Sequence, residues 1–155
     1  MTEASSVFNH VGHCVADLDR SRRFYEGLLG FRFWWEFDVP DDQAAGVLRL
    51  TPPLGMTAVY LVRDGLVLEL LHYAAPGQTR APQARTMNEP GLTHISLSVE
   101  DLGATLARVE SFGGEILQDT NVGVVAFVRD PDGQLIELST MDWREQLPPL
   151  PDSRP

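Results

Sequence analysis

The chain has 155 residues, 43% of them hydrophobic and 22% charged, with 12 basic against 22 acidic side chains and a formal charge of -10. That size fits one domain able to bury a core without covalent staples, and the acidic balance argues against nucleic acid or an anionic membrane as the main partner. Cys14 is the one cysteine, so no internal disulfide forms. A reducing cytoplasm is expected, since the start of the chain lacks the pattern of a signal peptide and no apolar run approaches the roughly 18 residues of a membrane span.

In chain order, residues 7–16 alternate like a strand. Asp17 or Asp19 is placed to cap a helix whose apolar face is Phe24, Tyr25, Leu28 and Leu29, with Gly30 as its left-handed stop. Phe31, Phe33, Trp35 and Phe37 then alternate with Arg32, Trp34, Glu36 and Asp38, a strand with one apolar face. Strands at 57–63 and 66–73 join through the tight turn Asp64-Gly65. The sum is βαβββ. A polar, proline-bearing stretch over 74–91 reads as a long loop.

The second part of the chain predicts the same order more compactly. A strand is expected at 93–99 and a helix at 102–112, with Leu102, Leu106, Val109 and Phe112 inward. Strands follow at 115–119, 122–129 and 134–140, the last two joined by the hairpin signal Asp130-Pro131-Asp132-Gly133. After Met141 a proline-rich tail, 142–155, reads as an extended arm.

The agreement between the halves is an internal repeat. HVGHCVADL at 10–18 meets HISLSVEDL at 94–102 with no gap, so His10 falls on His94 and Asp17 on Asp101, and the same offset puts Gly30 on Gly114. VRDGLVLELL at 62–71 meets VRDPDGQLIELS at 128–139, where two extra residues lie in the turn and Glu69 falls on Glu137. Each half therefore opens with a histidine strand and closes with a glutamate strand.

Strand alternation places His10, Gly12 and Cys14 on one face and Val11, His13 and Val15 on the other; His94, Ser96 and Ser98 lie opposite Ile95, Leu97 and Val99. The small neighbours leave room beside each histidine. A carboxylate within LVLELL or QLIELS is costly unless paired or metal-bound, although a single one would also suit an edge position facing water. Occurring twice at matched positions, the His…Glu pair calls for a common cause. Two neutral imidazoles and two carboxylates balance a divalent cation, and an N/O donor set suits Ni, Co, Mn, Fe or Zn without choosing among them. His13 and His72 fall on the opposite faces and read as structural. Cys14 lies about 13 Å along the strand from His10, too far for a shared role.

These motifs, HVGHCVADLDRSRRFYEGLLGF, LELLHY, GLTHISLSVEDL and VRDPDGQLIEL, resemble the vicinal oxygen chelate superfamily, which includes glyoxalase I, methylmalonyl-CoA epimerase, extradiol dioxygenases and antibiotic-resistance proteins. The resemblance covers roughly residues 7–140. It implies an α+β fold of paired βαβββ modules forming an incomplete barrel around a metal. It further implies one domain over 1–141 with halves near 7–73 and 92–140, and metal ligands at His10, Glu69, His94 and Glu137. A His, Glu, His, Glu set is similar to that of glyoxalase I-like enzymes, which favours a metal-dependent lyase or isomerase moving a proton next to a carbonyl through a metal-stabilised enediolate or enolate. In that reading Glu137 is the first choice for the general base and Glu69 the second. The alternatives are an iron-dependent extradiol-type dioxygenase using His10, His94 and Glu137, and a metal-free antibiotic-binding protein. The implied partners are a small carbonyl substrate and a second copy of the chain, with ligands drawn from one subunit or from two. Trp34, Trp35, Phe37 and Met56 are candidates for an apolar pocket, against the plainer reading as core. Arg80 and Arg85 are candidates for meeting a substrate anion, against the plainer reading as solvated loop charges.

Overall fold

In the computed structural model, which describes residues 6–75 and 86–148, each half of the repeat becomes a four-stranded mixed sheet with a helix packed on one face. The chain divides into two compact units, 1–81 and 82–155. The architecture is α+β and duplicated, and neither sheet closes into a barrel. No helix among the described residues is long and apolar enough to cross a membrane.

The first unit runs β1 (Val11–Cys14), α1 (Leu18–Arg22) continuing into a π-helical turn (Arg23–Leu28), β2 (Arg32–Val39), α2 (Asp41–Leu48), β3 (Met56–Arg63) and β4 (Leu66–Tyr73). Its strand order is β1-β4-β3-β2, with β1 parallel to β4 and the other pairs antiparallel. Asp17 is the helix cap, its carboxylate accepting from the Arg20 N–H at 2.9 Å. Phe24, Tyr25, Leu28 and Leu29 pack with Val15, Phe31, Val59, Leu61, Leu68 and Leu70, all essentially buried. Each such side chain contributes about 1.5–3 kcal/mol through burial. His13 lies on this face, its ring edge-on to Tyr25.

The second unit runs β5 (His94–Val99), α3 (Leu102–Val109) with a 3₁₀ turn (Glu110–Phe112), β6 (Glu115–Leu117), a further 3₁₀ turn (Gln118–Thr120), β7 (Val125–Arg129), β8 (Leu135–Thr140) and α4 (Met141–Glu145). Its order, β5-β8-β7-β6, repeats the first. Asp101 caps α3 as Asp17 caps α1. Leu102, Leu106 and Val109 pack with Ala126, Val128, Ile136 and Leu138. The hairpin at 130–134 is organised by the buried Asp130, whose carboxylate accepts from the N–H groups of Asp132 and Gln134.

Three expectations change. The helix stop matched to Gly30 (φ 70°) is Gly113 (φ 84°), one residue earlier than Gly114. In the first unit the Phe31 N–H reaches back six residues to Tyr25 C=O, whereas in the second the Gly114 N–H reaches back five to Val109 C=O. The π turn holds the extra residue. In β2 a bulge at Trp34 breaks the alternation: Phe33 pairs with Leu61 and Trp35 with Tyr60, so Phe33 lies on the helix side and Trp35 and Phe37 on the other. Helix α2 was not expected. It is short, flanked by prolines, and buries only Ala44, so its periodicity is weak. It packs with Leu54 over Met56 and Ala58, beside Phe37, Val39, Leu71 and Tyr73, on the face away from α1. The chain after Thr140 continues as the short helix α4. The rest of the tail from 149, and residues 76–85 with Arg80 and Arg85, lie outside the described residues.

Candidate functional site

Each unit brings its own histidine and glutamate face to face. In the first, β1 runs parallel to β4 with Gly12 beside Glu69, which puts His10, just before the strand, against the glutamate. His10 Nε2 lies 2.9 Å from Glu69 Oε2. The carboxylate sits within the sheet with its side chain only 11% exposed. Its other oxygen, Oε1, accepts a 2.6 Å hydrogen bond from the phenol of Tyr60, which stands opposite it on β3. The His10 ring is edge-on to Tyr60 at 5.7 Å. Burial, and then the hydrogen bond to Glu69, push the Tyr60 phenol up to about 12. A Cβ added at Gly12 would meet Leu71 Cδ1 at 3.5 Å and Glu69 Oε2 at 3.7 Å, ordinary contact distances, so the position also has room for a small side chain such as that of Ser96 in the second unit.

The second unit builds a related pair with different parts. Ser96 lies beside Glu137 as Gly12 lies beside Glu69, and Phe127 stands opposite as Tyr60 does. His94 Nε2 is 3.6 Å from Glu137 Oε2, and the glutamate side chain is 23% exposed. Ser96 Oγ donates to Glu137 Oε1 at 2.9 Å. The His94 ring is edge-on to Phe127 at 5.5 Å, and its Nδ1 is 2.8 Å from Thr93 Oγ1, a contact that fixes the ring. Thus both glutamates have Oε1 held by a hydroxyl and Oε2 turned to an imidazole nitrogen.

Among the described residues no cluster of three or more His, Cys, Asp or Glu side chains forms a cation site, so each pair by itself supplies two donors. The donor chemistry fits a divalent cation of the N/O-binding kind, and a hydroxyl behind each carboxylate is the sort of outer contact that orients a ligand. Of the other expected residues, Met56 is core beneath α2. Trp35 stacks on Phe37 at 4.6 Å and on Tyr60 at 5.2 Å, forming an aromatic row that ends at Glu69. Trp34, on the bulge, meets Trp35 and Tyr60 edge-on and is 58% exposed. His72 pairs with Thr57 on the face away from Glu69.

Tyr60, Ser96 and Thr93 were missed as partners. Tyr60 was legible in principle: with Asp64-Gly65 as a two-residue turn, counting outward places Tyr60 opposite Glu69. Ser96 was noted only for its small size.

Known proteins resemble this chain over most of its length. The profile of the Glyoxalase/Bleomycin resistance protein/Dioxygenase superfamily matches residues 7–138. The chain is 31% identical over 147 residues to the lactoylglutathione lyase of Pseudomonas aeruginosa, covering 85% of this chain and 81% of that protein. It is 28% identical over 138 residues to the ethylmalonyl-CoA/methylmalonyl-CoA epimerase of Cereibacter sphaeroides, covering 84% and 94%. Among solved structures, the trypanothione-dependent glyoxalase I of Leishmania major superposes with a TM-score of 0.68 at 29% identity, covering 92% of this chain and 91% of that one. With a matching profile over most of its length and both His–Glu pairs on the duplicated sheets, the chain belongs to the glyoxalase/bleomycin resistance protein/dioxygenase superfamily.

Proposed function

We propose that this protein is a glyoxalase I-like lyase or isomerase that moves a proton on the carbon next to a carbonyl, with His10, Glu69, His94 and Glu137 as ligands of one divalent cation. The protein would act as a cytoplasmic homodimer. The observation that carries the reading is the repeated His–Glu pair, each with a nitrogen and a carboxylate oxygen facing one another. Relatives named as a lactoylglutathione lyase and as an acyl-CoA epimerase support it, since both names describe chemistry beside a carbonyl.

A bound cation supplies Lewis-acid stabilisation of negative charge developing on substrate oxygen. The residues do the rest. His10 and His94 offer ring nitrogens, the second ring held by Thr93. Glu137 is the general base: it is more exposed than Glu69, lies farther from its histidine, and is held by one short serine side chain. A carboxylate so placed takes the proton from carbon and returns it to the neighbouring position.

Metal analysis of the purified protein, followed by solvent-deuterium exchange into a thiol–2-oxoaldehyde adduct and a 2-alkylmalonyl thioester, tests the reading. The expected result is one divalent ion per four-ligand set and metal-dependent exchange into one substrate class. Metal-replete protein that exchanges neither would sink it.

A further inference from the structure

The two glutamates have different holders. The Tyr60 O–H donates to Glu69 Oε1 at 2.6 Å, within the range of a charge-assisted bond between oxygens. The ring that carries it is itself braced. It stacks on Trp35 at 5.2 Å and 20°, Trp35 stacks on Phe37 at 4.6 Å and 12°, and the edge of Trp34 meets it at 6.1 Å. In the second unit the residue in the same place, Phe127, has no hydroxyl, and Glu137 is held instead by Ser96 at 2.9 Å.

We propose that Tyr60 is a positioning residue that fixes Glu69 as a static ligand. It reserves Oε1, leaves Oε2 as the oxygen turned toward His10 Nε2, and thereby removes Glu69 from service as the mobile base. For Glu69 to swing toward a substrate, it would have to break the bond to a phenol that its aromatic neighbours prevent from following. Glu137 has no such brace. The aromatic row Phe37–Trp35–Tyr60 thus buttresses a ligand. The proposal rests on the metal-binding part of the function proposed above and not on the identity of the reaction.

The test is titration of metal-free wild type, Tyr60→Phe and Ser96→Ala with Co(II), reading affinity by competition with a chelator and the ligand field from visible absorption. Thermal melting reports whether the ring stack, which phenylalanine retains, is intact. Tyr60→Phe is expected to melt close to wild type, to bind Co(II) about 10-fold more weakly, as for loss of an outer-shell partner, and to shift the visible bands. Should it bind within about twofold of wild type, well below that outer-shell effect, with unchanged bands, the proposal is overturned. Deuterium exchange by wild type is scored separately. Co(II) uptake without exchange removes the proton-transfer reading and leaves the Tyr60 assignment to its spectrum, whereas a wild type that takes up no Co(II) overturns both.

Discussion

The two His–Glu pairs stand on the same framework and are held from opposite sides. In the first unit the hydroxyl behind the glutamate comes from the antiparallel neighbour, Tyr60, and the parallel neighbour is the bare Gly12. In the second it comes from the parallel neighbour, Ser96, and the antiparallel neighbour is the hydroxyl-free Phe127. The duplication has kept what each pair presents, an Oε2 facing an imidazole, while exchanging the strand that secures it. A large ring locked in a stack is a stiff holder and a serine is a yielding one. The difference suits one carboxylate that stays and one that moves.

The strongest challenge to that division is to neutralise each glutamate in turn. Glu137→Gln should lower the exchange rate by about 10²–10⁴-fold, the usual worth of a general base. Glu69→Gln should act chiefly on metal affinity. Equal losses of exchange rate at saturating metal would dissolve the distinction. Next in size, the double variant Ser96→Ala/Phe127→Tyr gives the second pair the first pair's holder. It should bind Co(II) at least as well as wild type and exchange deuterium about 10-fold more slowly, an effect on the scale of other outer-contact changes; an unchanged rate would show that stiffness at Glu137 is immaterial.

Titration offers a gentler probe. The Tyr60 phenol is raised to about 12 by burial and its bond to Glu69, so it stays protonated in the folded chain after an ordinary tyrosine has ionised. Below pH about 10 the phenol is neutral folded or unfolded and its contribution is complete. From there up to about 12 the unfolded chain loses the proton first, so stability falls as pH rises. Urea unfolding across that window should show a decline that is smaller in Tyr60→Phe, and identical curves would contradict the shift. The smallest expected effect is on the helix stops. Gly30→Ala and Gly113→Ala should each cost about 1 kcal/mol from the positive φ. The Cβ added at Gly30 falls 2.9 Å from Arg63 Nη1, the far end of a flexible side chain that can move aside, so the backbone conformation sets the cost.

Much of this was legible in the sequence, for identifiable reasons. The strands β3, β4, β5 and β8 were found within a residue or two because each is an apolar run bounded by a turn signal. The histidines and glutamates stood out because a polar residue repeated at matched positions in apolar strands needs a reason. What escaped notice depends on contacts across strands. Trp34 is one aromatic among several in its run, and nothing local marks it as a bulge; only pairing with β3 reveals that Phe33 and Trp35 face opposite ways. Helix α2 exists because Leu54, Met56 and Ala58 need a cover, and the Asp41 carboxylate ties it down by accepting from the N–H groups of Leu54 and Gly55. Its own eight residues carry little amphipathic pattern.

The π turn at Arg23–Leu28 bears on how such a duplicated chain can change its length. An additional residue in a strand would reverse every side chain beyond it and turn a position beside the His–Glu pair toward the core. Taken up within one widened helical turn, it leaves the sheet's phase intact: Asp17 and Asp101 still cap, and Glu69 and Glu137 still project from the same face of their strands. The helix in each unit is therefore where evolution, or a protein engineer, can add or delete a residue without rewriting the site.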